Sequence, residues 1–432
     1  MKVLLLAHYF PPDGGPGAQR PASFARYLPE LGCEVVVVTR ALTRERDRNA
    51  VYDPHDASLL AWLGDVRVER ATCDGAPTLA AWTAALTARA VEVARAWRPD
   101  VVLATLSPFE LAEGAFAVRD HCGAKAVIDL RDPWALDGWF VSRHWLEHRQ
   151  AVTKMAAALA SADGVVANVP GARVAFESLE PRKGRVPYGV VTNGWEESDF
   201  ADLTSVPRGA TWRLRVAGNF LSTNFQRFSA AKRAWRLLRV AGERIDGRGR
   251  SPYFLLGALA SLREDEHPAG RDAVVEIAGN VDPITRRVIE DSGFADRVQM
   301  PGFLPHDACV RFTAGADALV LPMHGLPRGA RARMVPGKFY EYLAAGRPIL
   351  GLVPEGDARD WLREDARSRV ADPCSAASIR EALVSMHDAW RRGESVSTQR
   401  IPLAKRFTRR EQAKELESYL RTVCGSRANV SG

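Results

Sequence analysis

Short runs rich in apolar residues recur along this 432-residue chain, at 3–7, 34–39, 66–68, 101–105, 126–130, 164–167 and 190–192. Each is bounded by turn-forming residues, and helical patterns at 20–31, 79–97 and 151–160 lie between several of them. Nearly continuous apolar strands that alternate with helices specify a parallel sheet covered on both faces. After a polar, turn-prone stretch from Asn193 to Pro207, a second series follows at 214–217, 274–278, 298–300, 318–321 and 349–353. The length exceeds what one ordinary core accommodates. The expected fold class is therefore α/β, with two consecutive Rossmann-like domains at 1–200 and 208–405. A final amphipathic helix is expected within 406–432. Open parallel sheets bind ligands beside the C-terminal ends of their strands, so the natural site is the cleft where two such sheets face each other.

Hydrophobic content of 46% and charged content of 26% suit a soluble globular protein. No apolar run approaches the roughly 18 residues of a membrane span, and the N-terminus enters a strand without a signal-peptide pattern, so a cytoplasmic location is expected. The six cysteines, at 33, 73, 122, 309, 374 and 424, lack metal-ligand spacing, and free thiols with no metal and no cofactor are expected. The net charge of +7 is concentrated: residues 224–250 hold eight Arg or Lys against Glu243 and Asp246. Such a segment can meet an acidic membrane, a nucleic acid or phosphates, or form a solvated helix face with Lys232, Arg233, Arg236 and Arg239. It lacks the aromatic interleaving of a single-strand binder. No nucleic-acid partner is expected, and membrane contact is not indicated.

The most chemically informative stretch is Pro336-Gly-Lys-Phe-Tyr-Glu-Tyr-Leu-Ala-Ala-Gly-Arg-Pro348. Gly337 opens a helix, and Gly346 with Pro348 closes it before a strand. A helix start presents free amide donors and a positive dipole, and Lys338 adds a charge beside them, which suits a phosphate. One turn on, Glu341 can accept hydrogen bonds from a diol such as a ribose. A surface Lys and Glu on a C-terminal βαβ unit is the plainer alternative.

Other candidates stand where strands end. Gly14, Gly15 and Gly17 follow the first strand, where missing side chains let backbone amides approach an anion, and Arg20 opens the next helix. A second strand ends in Asp129, Arg131 and Asp132, where a carboxylate can orient hydroxyls or take an acceptor proton, or where an Asp-Arg pair can pin the turn before Pro133. Gly218 and Asn219 end the first strand of the second series, and Gly302-Phe-Leu-Pro-His306 ends another.

Together these strings resemble family 4 glycosyltransferases of the GT-B type, over nearly the whole chain from His8 to Tyr419. The resemblance implies two Rossmann-like domains facing across a cleft, with the C-terminal helix crossing back to the first. It implies transfer of a hexosyl group from a nucleotide diphosphate sugar, UDP or GDP, with retained configuration and without a metal. The acceptor is then a small-molecule natural product or a glycan or cell-surface precursor. Donor contacts are expected from Gly14, Gly15, Gly17, Arg20, Gly218, Asn219, Phe303, Leu304, the loop Arg333, Met334, Val335, Pro336 and Gly337, and Lys338 and Glu341. Asp132, Arg131 and Asp129 are the catalytic candidates, and Ser107 and Trp134 are placed on the acceptor side.

Two departures from the family pattern matter. Asn219 and Asn224 stand where many members carry an Arg and a Lys that neutralise the pyrophosphate, leaving Lys338, Arg333 or basic residues such as Arg227 and Lys232 to do so. Arg333 stands where many carry a first Glu, eight positions before Glu341. These gaps keep open a non-catalytic sugar-nucleotide binder and, behind it, a sugar-nucleotide epimerase.

Overall fold

The computed structural model describes residues 1–41, 58–73, 78–180, 184–201, 209–218, 220, 222, 240–394 and 402–425. The chain divides into two compact units: Met1–Phe140 with Leu146–Asn193 and Arg409–Gly432, and Val141–Trp145 with Gly194–Thr408.

The first unit is built on β1 (Lys2–Ala7), β2 (Glu34–Arg40), β3 (Arg67–Ala71), β4 (Val101–Leu106) and β5 (Lys125–Leu130). The short β6 (Val141–Ser142) belongs to the other unit, and β7 (Gly164–Ala167) and β8 (Tyr188–Val190) complete the sheet. Its order is β3-β2-β1-β4-β5-β7-β8, with every pairing parallel. The order reverses at β1 and β4, the switch point beside which such sheets build sites. Burial explains the pattern: β4 reads Val-Val-Leu-Ala-Thr-Leu and is buried at all six positions, as a strand covered on both faces must be.

In the second unit, β9 (Trp212–Ala217) is followed by β10 (Val240–Ala241), which pairs antiparallel with β6. Then come β11 (Ala273–Ala278), β12 (Val298–Gly302), β13 (Ala318–Pro322), β14 (Ile349–Leu352) and β15 (Arg369–Ala371). The six-stranded sheet has the order β12-β11-β9-β13-β14-β15, again all parallel. Trp212, Leu214, Val216, Leu255, Leu259, Phe294 and Trp390 lie in its core.

Local signals set the helix ends. Gly15, at φ 93°, precedes the helix Pro16–Glu30, whose first position is a proline, where the missing N–H costs nothing. Thr78 caps the helix Leu79–Trp97 by accepting from the Ala81 amide at 3.2 Å. Differences from the sequence reading fall at such edges. The helix expected at 20–31 begins at Pro16, and the strand expected at 190–192 is Tyr188–Val190. β15 was not anticipated.

The C-terminal helix Arg409–Gly425 packs against the helix Pro16–Glu30 and the first sheet. Leu416, Leu420 and Val423 join Phe24, Leu28, Val37 and Val191 in one buried cluster, at about 1.5–3 kcal/mol for each large side chain withdrawn from water. Polar contacts fix its register. The Thr192 amide donates to Gln412 Oε1 at 2.6 Å, and the Tyr419 hydroxyl donates to the carbonyls of Pro187 at 2.7 Å and Val165 at 3.1 Å. Gly164 and Gly189 leave room for that ring, since a Cβ at either would stand 2.6 or 2.7 Å from it.

Candidate functional site

In the second unit the site grows from the end of β9. Gly218 turns the chain at φ 90°, and its amide donates to Ala278 O at 2.7 Å. The Ala217 amide donates to Tyr342 Oη at 2.8 Å. This bond ties the helix Gly337–Ala344 to the strand end, and burial keeps the Tyr342 hydroxyl protonated, with its pKa raised. Pro336 precedes the helix and offers no side-chain cap, and the Phe339 amide donates to Pro336 O at 3.0 Å, so the amides of Gly337 and Lys338 are the first-turn donors turned toward the helix start. Lys338 is half-buried, and its Nζ stands 3.7 Å from where a Cβ of Gly218 would be. Burial and the nearby Arg250 charge lower the Lys338 ammonium to about 8, against the opposing pull of Glu341 and Cys309. Glu341, half-buried one turn on, helps burial push the Cys309 thiol up to about 11. Lys338 and Glu341 therefore lie within one electrostatic neighbourhood, as their spacing suggests.

Arg250 is the cation that the sequence reading did not single out. It ends a short turn of helix, Gly247–Arg250, opened by Asp246, whose Oδ1 accepts from the Arg248 amide at 3.0 Å. Asp246 and Gly325 exchange two backbone hydrogen bonds of 2.8 Å, which lays this turn on the loop after β13. A Cβ on Gly249 would meet Met323 O at 2.7 Å, so the contact requires glycine. The same loop carries His324, buried, whose imidazole is lowered to about 4 by burial and by Arg250.

The basic loop before the helix is pinned. Ala332 N donates to Glu355 O at 2.8 Å, and Gly356, at φ 145°, leaves 3.0 Å between its would-be Cβ and the Ala332 backbone. Arg331 pairs with Asp360, Arg333 and Met334 are half-buried, and Val335 is buried. At the end of β12, Gly302 turns at φ 83° and its carbonyl accepts from the Gly279 amide at 2.8 Å. Phe303, 72% exposed, offers an open ring, with Leu304 half-buried behind it. Asn219, Asn224, Arg227 and Lys232 lie outside the described residues.

In the first unit, Gly14 and Gly15 lead into the helix Pro16–Glu30. A Cβ on Gly17 would come within 2.5 Å of Arg131 Nη1. The Arg131 guanidinium lies over the Tyr9 ring at 5.6 Å and pairs with Asp132 at 3.3 Å. Asp132 is the exposed member of the Asp129, Arg131, Asp132 group, with 45% of its side chain accessible. Asp129, named as a catalytic candidate, sits differently from Asp132. It is fully buried, and Arg20 grips both its oxygens, at 2.7 and 2.9 Å. Arg20 also donates to Val191 O at 2.8 Å and Thr192 O at 3.0 Å. The pair is spent on joining β5 to the helix and to the segment after β8.

Ser107 and Trp134 follow the adjacent strands β4 and β5, and both have positive φ, 124° and 49°, a cost that gathers at functional sites. Trp134 is buried and stacks on Phe109 at 4.7 Å with 5° between the planes, so Phe109 takes one face of the indole that was expected to meet an acceptor. Among the described residues, no three His, Cys, Asp or Glu side chains are grouped to hold a metal ion, and no helix is long and apolar enough to cross a membrane.

No family model matches the chain. The 2-deoxystreptamine N-acetyl-D-glucosaminyltransferase of Streptomyces fradiae is 24% identical over 358 residues, which cover 78% of this chain and 75% of that protein. The sucrose-phosphate synthase of Thermosynechococcus elongatus superposes with a TM-score of 0.67 at 13% identity, over 98% of this chain and 99% of its own. A putative UDP-N-acetylglucosamine 2-epimerase from Listeria monocytogenes superposes at 0.57 and 13% identity, over 98% and 97%. The chain has the GT-B fold, two parallel Rossmann-like sheets with the last helix returned to the first unit.

Proposed function

We propose that this chain is a glycosyltransferase that moves a sugar from a nucleotide diphosphate sugar, UDP- or GDP-linked, to a small-molecule acceptor bearing hydroxyl or amine groups. The observation that carries the reading is Lys338 Nζ beside Gly218 at the open start of the helix Gly337–Ala344. Amide donors, a helix dipole and a half-buried cation converge there on one point, and such a place stabilises the charge that develops on a departing diphosphate. Glu341 follows at the position to accept from a ribose diol, and Phe303 gives a base an exposed ring.

In the proposed reaction the bond from the anomeric carbon to the diphosphate oxygen breaks as the acceptor oxygen or nitrogen bonds to the same face of that carbon. The acceptor proton passes to the leaving phosphate oxygen. Retention of configuration and independence from metal rest on the family resemblance. Asp132 and Ser107 are assigned to the acceptor. A small-molecule acceptor is favoured over a glycan precursor by the 24% identity to an enzyme named for 2-deoxystreptamine.

A thermal-shift panel of UDP, GDP, ADP and TDP tests the nucleotide seat, because a ligand that binds only the native state raises apparent stability. The sugar nucleotide of the preferred base is then incubated with and without 2-deoxystreptamine and followed by mass spectrometry. A hexosyl or N-acetylhexosaminyl mass gain on the acceptor supports transfer. Binding with neither transfer nor hydrolysis would leave a sugar-nucleotide binder, and isomerised donor would leave an epimerase, whose fold the Listeria protein shares.

A further inference from the structure

We infer that Arg250 and Lys338 form the two jaws of a pyrophosphate seat, with Arg250 supplied by the basic segment after β10 and not by the strand loop at Gly218. This deepens the proposed function and rests on it for the identity of the nucleotide. The topology brings the two together. β9 and β13 are neighbours in the sheet, pairing Leu214 with Ala318 and Arg215 with Leu319, so the loops that leave their C-terminal ends lie side by side. One of these loops, at Gly218, meets Lys338. The other, Met323–Gly325, carries the turn that ends in Arg250.

That turn is built to hold a side chain still. Two backbone hydrogen bonds join Asp246 to Gly325, Gly249 lies flush against Met323 O and Pro373, and Asp246 caps the turn while pairing with Arg248 at 2.5 Å. Arg248 is held by Asp246, and the turn continues to Arg250. Arg250 is near enough to both Lys338 and His324 to oppose their protonation. Glu341 and Cys309 face Lys338 and offset only part of the repulsion between the two cations, and a rigid scaffold that keeps them in this half-buried place is complementary to a multiply charged anion. Arg offers a planar fork to phosphate oxygens while Lys offers a point charge, so the two grip a diphosphate without competing for the same geometry. His324, buried and neutral between pH 5 and 8, adds no third charge to this repulsion.

The test titrates inorganic pyrophosphate and the preferred nucleoside diphosphate, with its parent nucleoside, into the wild-type chain and the variants Arg250→Met, Arg250→Lys and Lys338→Met. Thermal unfolding of each variant checks that it folds. Arg250→Met is expected to lose at least tenfold in affinity for pyrophosphate and the diphosphate and less than twofold for the nucleoside, with Arg250→Lys recovering part of the loss. It should also move the pH at which diphosphate binding fades to a higher value, because Lys338 then keeps its proton longer. Undiminished pyrophosphate affinity in a folded Arg250→Met variant overturns the inference, as does a wild-type chain that ignores pyrophosphate at low salt. Pyrophosphate binding that depends on Arg250, with no nucleoside diphosphate bound, would uphold the seat and overturn the nucleotide reading alone.

Discussion

The Arg131 guanidinium occupies the space that a side chain on Gly17 would need, with Nη1 2.5 Å from the position of the missing Cβ. A cation and the positive start of the helix Pro16–Glu30 therefore share one corner of the first unit, beside the exposed Asp132. Adding a methyl group there pushes aside only the end of a flexible side chain. Gly17→Ala is expected to cost less than about 1 kcal/mol in urea unfolding, within the range of mild substitutions. Transfer activity should fall at least tenfold. Unchanged activity would remove Arg131 and this corner from the reaction.

Asp129 and Arg20 behave differently, because both are buried and each neutralises the other. Asp129→Asn keeps the shape and strands the guanidinium, so unfolding in urea should register a loss of about 3–5 kcal/mol. A stable variant without activity would instead return Asp129 to the chemistry.

For Glu341, truncation to Ala should weaken nucleoside diphosphate binding by about 1–3 kcal/mol if the carboxylate holds the ribose. The matching 2′,3′-dideoxy nucleotide should bind wild type and variant alike. Removing this negative charge should also lower the Cys309 thiol, which Glu341 helps to raise.

The Lys338 ammonium, lowered to about 8, sets a pH dependence with a definite sign. A bound diphosphate favours the charged form, so above pH 8 the complex keeps a proton that the free protein has released. Affinity should be flat below about pH 7 and fall with rising pH above 8, approaching tenfold per unit, by isothermal titration. Lys338→Met should flatten that fall. Without ligand the sign reverses for stability: between pH 8 and the ordinary Lys range, the unfolded chain binds the extra proton, and this group's contribution rises with pH.

Elements with their own punctuation were legible in the sequence, and contacts made across long intervals were not. Gly337, Lys338 and Glu341 lie within one turn and read together because the helix brackets are adjacent to them. Arg20 and Asp129, 109 residues apart, carry no local mark of their pairing, and Asp129 looked like any acid at a strand end. Arg250 was hidden for a related reason. Eight basic residues in one segment look alike until Gly249 and Asp246 fasten the last of them to the loop after β13. β15 escaped because Arg-Val-Ala is too short for either period to show. The strand near 190 slipped by two residues: the Val191 amide still donates to Ala167 O at 3.0 Å, but the Thr192 amide turns to Gln412 of the final helix and ends the ladder.

That final helix also orders events during synthesis. Leu416, Leu420 and Val423 leave the ribosome about four hundred residues after Val3 and Leu5, yet they fill the core that those two begin. The first unit therefore stays incompletely sealed until the second, which lies between these segments in the chain, has been translated.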